Sequence, residues 1–167
     1  STLSSSSAAS DVYKRQLCEA TTGLTKEAVG GGNLLLLASD AARALAAAEA
    51  ARDAIAALDG CIMPFPGGIV RSGSKIGGKY KGMMASTNDA YCPTLKGTVD
   101  SALSPGIGSV LEIVIDGLSF DHVAAAMRAG LSAALALGPD RGAMRISAGN
   151  YGGKLGPHHF KLLDLLP

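Results

Sequence analysis

Tryptophan is absent, and phenylalanine and tyrosine together leave aromatics at 4% of 167 residues. So few rings exclude the stacking platform that single-stranded nucleic acid needs. Charge is equally sparse: 17% of residues are charged and the net charge is +1. A duplex binder held by phosphate contacts would carry a basic excess, so no nucleic-acid partner is expected. Three cysteines, Cys18, Cys61 and Cys92, are widely spaced and odd in number. They form neither a disulfide framework nor a CxxC metal site and read as small thiols in a reducing compartment. His122, His158 and His159 offer no zinc-ligand spacing, so no metal is expected. Long hydrophobic runs are missing too. Leu34–Ala38 and Leu131–Leu137 fall far short of the roughly 20 residues a membrane span requires. Lys14-Arg15 is followed by no apolar stretch, which excludes a signal peptide there. The expectation is a cytoplasmic protein without membrane contact.

What is present is globular. Apolar residues make up 47% of a chain long enough to bury one domain's core. The N-terminal stretch is the exception. Residues Ser6–Gln16 spell, position for position, the peptide encoded by a transposase-library adapter primer. Ser1–Gln16 are therefore read as an artefact of sequencing, with 17–167 as natural protein that continues upstream of Leu17.

The chain beyond alternates strands and helices. Gly30–Asn33 signals a turn, and Leu34–Ala38 reads as a buried strand. Asp40–Leu58 reads as an amphipathic helix with Ser39 as its N-cap, Leu45, Ala48, Ile55 and Leu58 on its apolar side, and Gly60 as its stop. Cys61–Val70 is an interrupted strand, Arg71–Lys81 an exposed segment, Ala85–Thr94 loop or edge structure, and Gly97–Gly108 a connector. Val110–Ile115 is a strand with Leu111, Ile113 and Ile115 on one face and Glu112 on the other. Phe120–Leu137 is a second helix, capped by Ser119, with Val123, Met127, Leu131 and Leu135 along one side. Ala143–Ala148 is a further strand, Gly149–Gly156 a glycine-rich loop, and Phe160–Leu166 another candidate strand. The order βαββαβ is that of the ferredoxin-like split βαβ, an α+β fold with two helices on one face of an antiparallel sheet. Its other face is left open, to be solvated or docked.

Phosphate-binding loops fail on inspection. In Gly68–Lys75 the lysine comes one place late for a P-loop, and no Ser or Thr follows it. Glu112 is more informative. A strand carboxylate between Val and Leu is either a solvated surface group or, once shielded from water, a group able to take and give a proton. Arg128 on the following helix is its ion-pair candidate, or a surface arginine. Three stretches are dense in glycine and small polar groups: Phe65, Pro66, Gly67 and Gly68; Ser86, Thr87, Asn88, Asp89, Tyr91 and Cys92; and Asn150, Tyr151, Gly152, Gly153 and Lys154. They are ordinary turns, or loops that admit a ligand close to backbone N–H groups.

Those stretches, together with Gly31-Gly32-Asn33, Ala47–Ala51, Glu112–Ile115 and Ala126-Met127-Arg128, resemble formylmethanofuran:tetrahydromethanopterin formyltransferase from about Thr21 onward. Lys75–Met84 matches loosely and Leu95–Gly108 poorly. The resemblance is to the C-terminal (distal) lobe of a two-lobed subunit. It implies formyl transfer between the amine of methanofuran and N5 of tetrahydromethanopterin. Both are coenzyme substrates, and no group is tightly bound. It implies a homo-oligomer and, in methylotrophic bacteria, other subunits of a formyltransferase/hydrolase complex. It makes Glu112 the acid/base residue, places the three loops at the substrates, and nominates Asn88 and Asn150 as oxyanion donors. A lone lobe is expected to be inactive. The competing reading is a non-catalytic ferredoxin-like module that binds or dimerises through its open sheet face.

Overall fold

The structure, a computed structural model, describes residues 27–166 except 72, 77, 79, 84 and 150–156. Strand β1 (Val29–Ala38) leads into helix α1 (Ala41–Ala56). Short strands β2 (Cys61–Ile62) and β3 (Val70–Arg71) follow, then a two-stranded ribbon of β4 (Ser74–Ile76) and β5 (Ala85–Thr87). Two 3-10 turns and a connector lead to β6 (Ser109–Gly117), helix α2 (Phe120–Ala136) and β7 (Arg145–Ser147). In the main sheet β6 and β1 are central, β7 flanks β1, and β2 and β3 both pair with β6. Every one of these pairings is antiparallel.

The run Leu34–Leu37 is buried throughout because both faces of β1 are covered. Leu34 and Leu36 face the helices, with Ile113 and Ile115 of β6 beside them. Above them α1 contributes Ala47, Ala48, Ala51 and Ile55, and α2 contributes Val123, Met127 and Leu131. Leu35 and Leu37 point the other way, onto Val110, Leu103, Ile107 and Tyr91. The expected open face is therefore covered at its centre. The connector folds back across it, and Gly108 N–H donates to the Ala38 carbonyl at 2.9 Å.

Several expectations are corrected. The glycine run before Asn33 is not a turn but the first part of β1, which bulges between Val29 and Gly32, with Gly31 at φ +92°. Asp40, not Ser39, caps α1. Its backbone is extended, and its carboxylate accepts from Arg43 N–H at 2.9 Å. Leu45 and Leu135 are 45% and 49% exposed, and alanines take the buried positions. Small side chains let the helices approach closely. At Gly130 of α2, a Cβ would stand 2.8 Å from Ile55 Cδ1 and 3.0 Å from Leu34 Cδ1. The last apolar segment is a 3-10 turn, Leu162–Leu165, rather than a strand, and it buries Leu165 against the core.

Candidate functional site

Strand alternation places Glu112 on the face away from the helices, in register with Leu35 of β1 and Val70 of β3. It is only 5% exposed. A buried carboxylate is costly unless its oxygens are bonded, and both are. Asn33 Nδ2 donates to Oε1 at 2.7 Å, and the Gly73 N–H donates to Oε2 at 2.5 Å. Gly73 carries no side chain for a steric reason. A Cβ there would lie 2.4 Å from Glu112 Oε2. The network extends further. Asn33 Oδ1 accepts from Gly149 N–H at 2.7 Å, and the Gly73 carbonyl accepts from Asn88 N–H at 3.1 Å. One carboxylate thus ties together β1, the turn between β3 and β4, and, through one further bond each, the end of β7 and the end of β5.

Of the expected site residues, Asn88 lies closest to this network and is 2% exposed. Ser86 and Thr87 form β5, and Asp89 and Tyr91 belong to the 3-10 turn that follows. Lys75 pairs with Asp89 and holds its carboxyl below the usual range, clamping the ribbon to that turn. The Thr94 hydroxyl, 3.2 Å from Cys92 Sγ, holds the Cys92 thiol below its ordinary range. Cys61, by contrast, is pushed up by burial and by the nearby Asp59 charge. Phe65, Pro66 and Gly67 are exposed in the loop between β2 and β3, and Gly68 rests against Arg52 and Met63. That loop leads into β3, whose Val70 stands opposite Glu112. Asn150, Tyr151, Gly152, Gly153 and Lys154 lie outside the described residues.

Arg128 is not the partner of Glu112. It is exposed on α2, across the sheet from the carboxylate, because α2 packs on the other face. Among the described residues no salt bridge includes Glu112. Two participants escaped the sequence reading, Asn33 and Gly73. The first had a signal: Asn33 stands two residues before Leu35, on the face Glu112 shares. For Gly73, in a Gly/Ser/Lys-rich stretch, no signal separated it from its neighbours. No group of three His, Cys, Asp or Glu side chains suited to a metal occurs among the described residues. Likewise, no helix there is long and apolar enough to cross a membrane.

Comparison with known proteins gives the context. Residues 15–165 match a family described as "FTR, proximal lobe". That description corrects the expectation of a distal lobe. The formylmethanofuran--tetrahydromethanopterin formyltransferase of Methylobacillus flagellatus is 61% identical over 150 residues, 90% of this chain and 49% of that protein. The enzyme of the same name from Methanocaldococcus jannaschii is 50% identical over 153 residues, 89% of this chain and 50% of that protein. Among solved structures, the formyltransferase/hydrolase complex of Methylorubrum extorquens, in complex with methylofuran, contains a similar chain. It superposes with a TM-score of 0.78 at 62% identity, covering 83% of this chain and 45% of that one. The chain spans about half the length of the curated relatives it matches. With two helices on an antiparallel sheet like that of the solved formyltransferases, and a match along nearly its whole length, the chain belongs to the FTR proximal-lobe family of formylmethanofuran:tetrahydromethanopterin formyltransferases.

Proposed function

We propose that this chain is the C-terminal, proximal lobe of a formyltransferase. The enzyme moves a formyl group between the amine of methanofuran and N5 of tetrahydromethanopterin. The sheet order, with β1 and β6 central and antiparallel partners on both sides, supports reading the lobe as a ferredoxin-like split βαβ. The names of the relatives support the reaction. The observation that carries the mechanism is the buried, doubly bonded Glu112.

The chemistry needs one proton moved twice. In the direction of pterin formylation, N5 attacks the formamide carbon and a tetrahedral oxyanion forms. N5 gives its proton to the Glu112 carboxylate. The same carboxyl then protonates the methanofuran nitrogen as its C–N bond breaks and the formyl C=O returns. No net charge is left on the enzyme, and the reverse direction uses the same steps in reverse order. Phe65–Gly68, Ser86–Cys92 and Asn150–Lys154 are the loops assigned to the two coenzymes. Holding two large carriers in register supplies much of the rate, and excluding water prevents hydrolysis of the formyl group. The coenzymes are substrates, and no further tightly bound group is part of this reading. The enzyme is read as a cytoplasmic homo-oligomer, and the similar chain's place in the Methylorubrum formyltransferase/hydrolase complex supports association with further subunits.

The test is Glu112→Gln in the complete subunit. The expected outcome is a fall in kcat of about 100- to 10,000-fold with an unchanged circular-dichroism spectrum. Near-full activity in that variant overturns the mechanism.

A further inference from the structure

We infer that Asn33 is the positioning residue of this site, a single carboxamide fixed at one end by the Gly149 main chain and setting Glu112 at the other. The inference rests on the reading of Glu112 as the acid/base. Asn33 stands opposite Val114 in the β1–β6 register. Alternation along β1 puts its side chain on the same face as Leu35 and Glu112. Its two ends are both used: Nδ2 donates to Glu112 Oε1, and Oδ1 accepts from Gly149 N–H, each at 2.7 Å. Reversing the carboxamide would set an oxygen against the carboxylate and an NH2 against an N–H. Both contacts would become like pairs. The Gly149 N–H therefore dictates which end of Asn33 meets the glutamate.

Among the described residues, the surrounding charges leave that role to Asn33 and Gly73. On the glutamate's own strand, Asp116 accepts from Gly31 N–H. On the β3–β5 side stand Arg71, Lys75 and Asp89, the last two paired with each other. On β7, Arg145 donates to Ser104 Oγ; in the connector, Lys96 donates to the Ile107 carbonyl. The helices lie across the other face. Among the described residues, only neutral amide donors meet the carboxylate oxygens, so there the direction of each oxygen is set by hydrogen-bond geometry rather than by an ion pair.

Proton–nitrogen spectra of the full chain, recorded across pH, test this directly. Gly73 N–H donates to Glu112 itself, whereas Gly149 N–H donates to the far end of Asn33. In the wild type both amides should titrate with one midpoint, and Glu112→Gln should remove that titration from both. Asn33→Ala should keep it at Gly73 and abolish it at Gly149. Asn33→Asp keeps an acceptor for Gly149 but sets a second carboxyl against Glu112. The pair must then share a proton, and its upper midpoint, read at Gly73, should rise by about one pH unit or more. In the complete subunit, the pH–rate profile of Asn33→Asp should move the same way. A Gly149 amide that ignores pH in the wild type, or that titrates unchanged in Asn33→Ala, overturns the inference. So does an Asn33→Asp variant whose midpoint stays in place. Glu112→Gln activity separates the two failures. If that variant is inactive while Gly149 is silent, only the role of Asn33 falls; if it is active, the acid/base reading falls and takes the positioning role with it.

Discussion

Gly73 is the residue at which one added methyl group would read out the site most sharply. Its backbone is not in the left-handed region, so alanine is conformationally acceptable there. The obstacle is Glu112, whose Oε2 and Cδ would lie 2.4 and 3.2 Å from the new Cβ. Glutamate ends are normally flexible, but this one is held by Asn33 on its other oxygen. Gly73→Ala should therefore destabilise the fold by about 1–3 kcal/mol, measured by urea unfolding. Because the cost comes from one contact, it should shrink when the carboxylate is removed. A double-mutant cycle with Glu112→Ala should show a coupling of at least about 0.5 kcal/mol. Equal costs in both backgrounds would place the strain elsewhere in the turn.

At the scale of elements, helix α1 depends on its cap, and the cap depends on pH. Asp40 accepts from the Arg43 main chain and pairs with its guanidinium, and these contacts hold its carboxyl below the ordinary value of 3.8. A group whose folded value is depressed stabilises the protein above its unfolded value. That stability is lost as pH falls through the folded value. Asp40→Ala should thus lower the unfolding midpoint at pH 7, and the gap to wild type should close progressively below pH 4. A gap that persists undiminished at pH 2 would contradict the assignment. The cap also shows what the sequence could and could not disclose. Ser39 and Asp40 are both good N-caps, and one residue of register separated them; only the extended backbone at Asp40 decided it. β6 and α2 were legible within a residue or two, because Val110–Ile115 is a short β-branched, apolar run broken only by Glu112 and ended by Gly117, and Ser119 precedes a clean apolar repeat. The buried face of α1 was harder to read. Alanine carries almost no amphipathic signal, so Leu45 drew the eye although the packing stripe is Ala44, Ala47, Ala48, Ala51 and Ile55. The Glu112 face was legible by alternation, but its cover was not. A connector with Leu103 and Ile107 near its end gives no local sign that it folds back over Leu35 and Leu37. Asn33 and Gly73 lie 79 and 39 residues from Glu112, a separation no local pattern spans.

At the scale of the whole molecule, the carboxylate network joins segments that are distant along the chain, so ligand binding and folding stability should be linked. A ligand that binds only the folded state at about 100 times its Kd adds roughly 2.7 kcal/mol. For a complete subunit about twice the length of this chain, that is about 4 °C in Tm. A methylofuran-type ligand should produce a rise of this order in the complete subunit. The Glu112→Gln variant distinguishes two kinds of site. If Glu112 acts on protons that move only during transfer, the glutamine, whose NH2 must face one of the two protein donors and so lowers the starting Tm, should still retain nearly the whole ligand-induced shift while losing turnover, because what the substrate loses is an interaction made in the transition state. If Glu112 instead anchors the coenzyme in its ground state, the shift and the turnover should fall together. The geometry favours the first outcome. Both carboxylate oxygens already have protein donors, so the group is prepared before a substrate arrives rather than ordered by one.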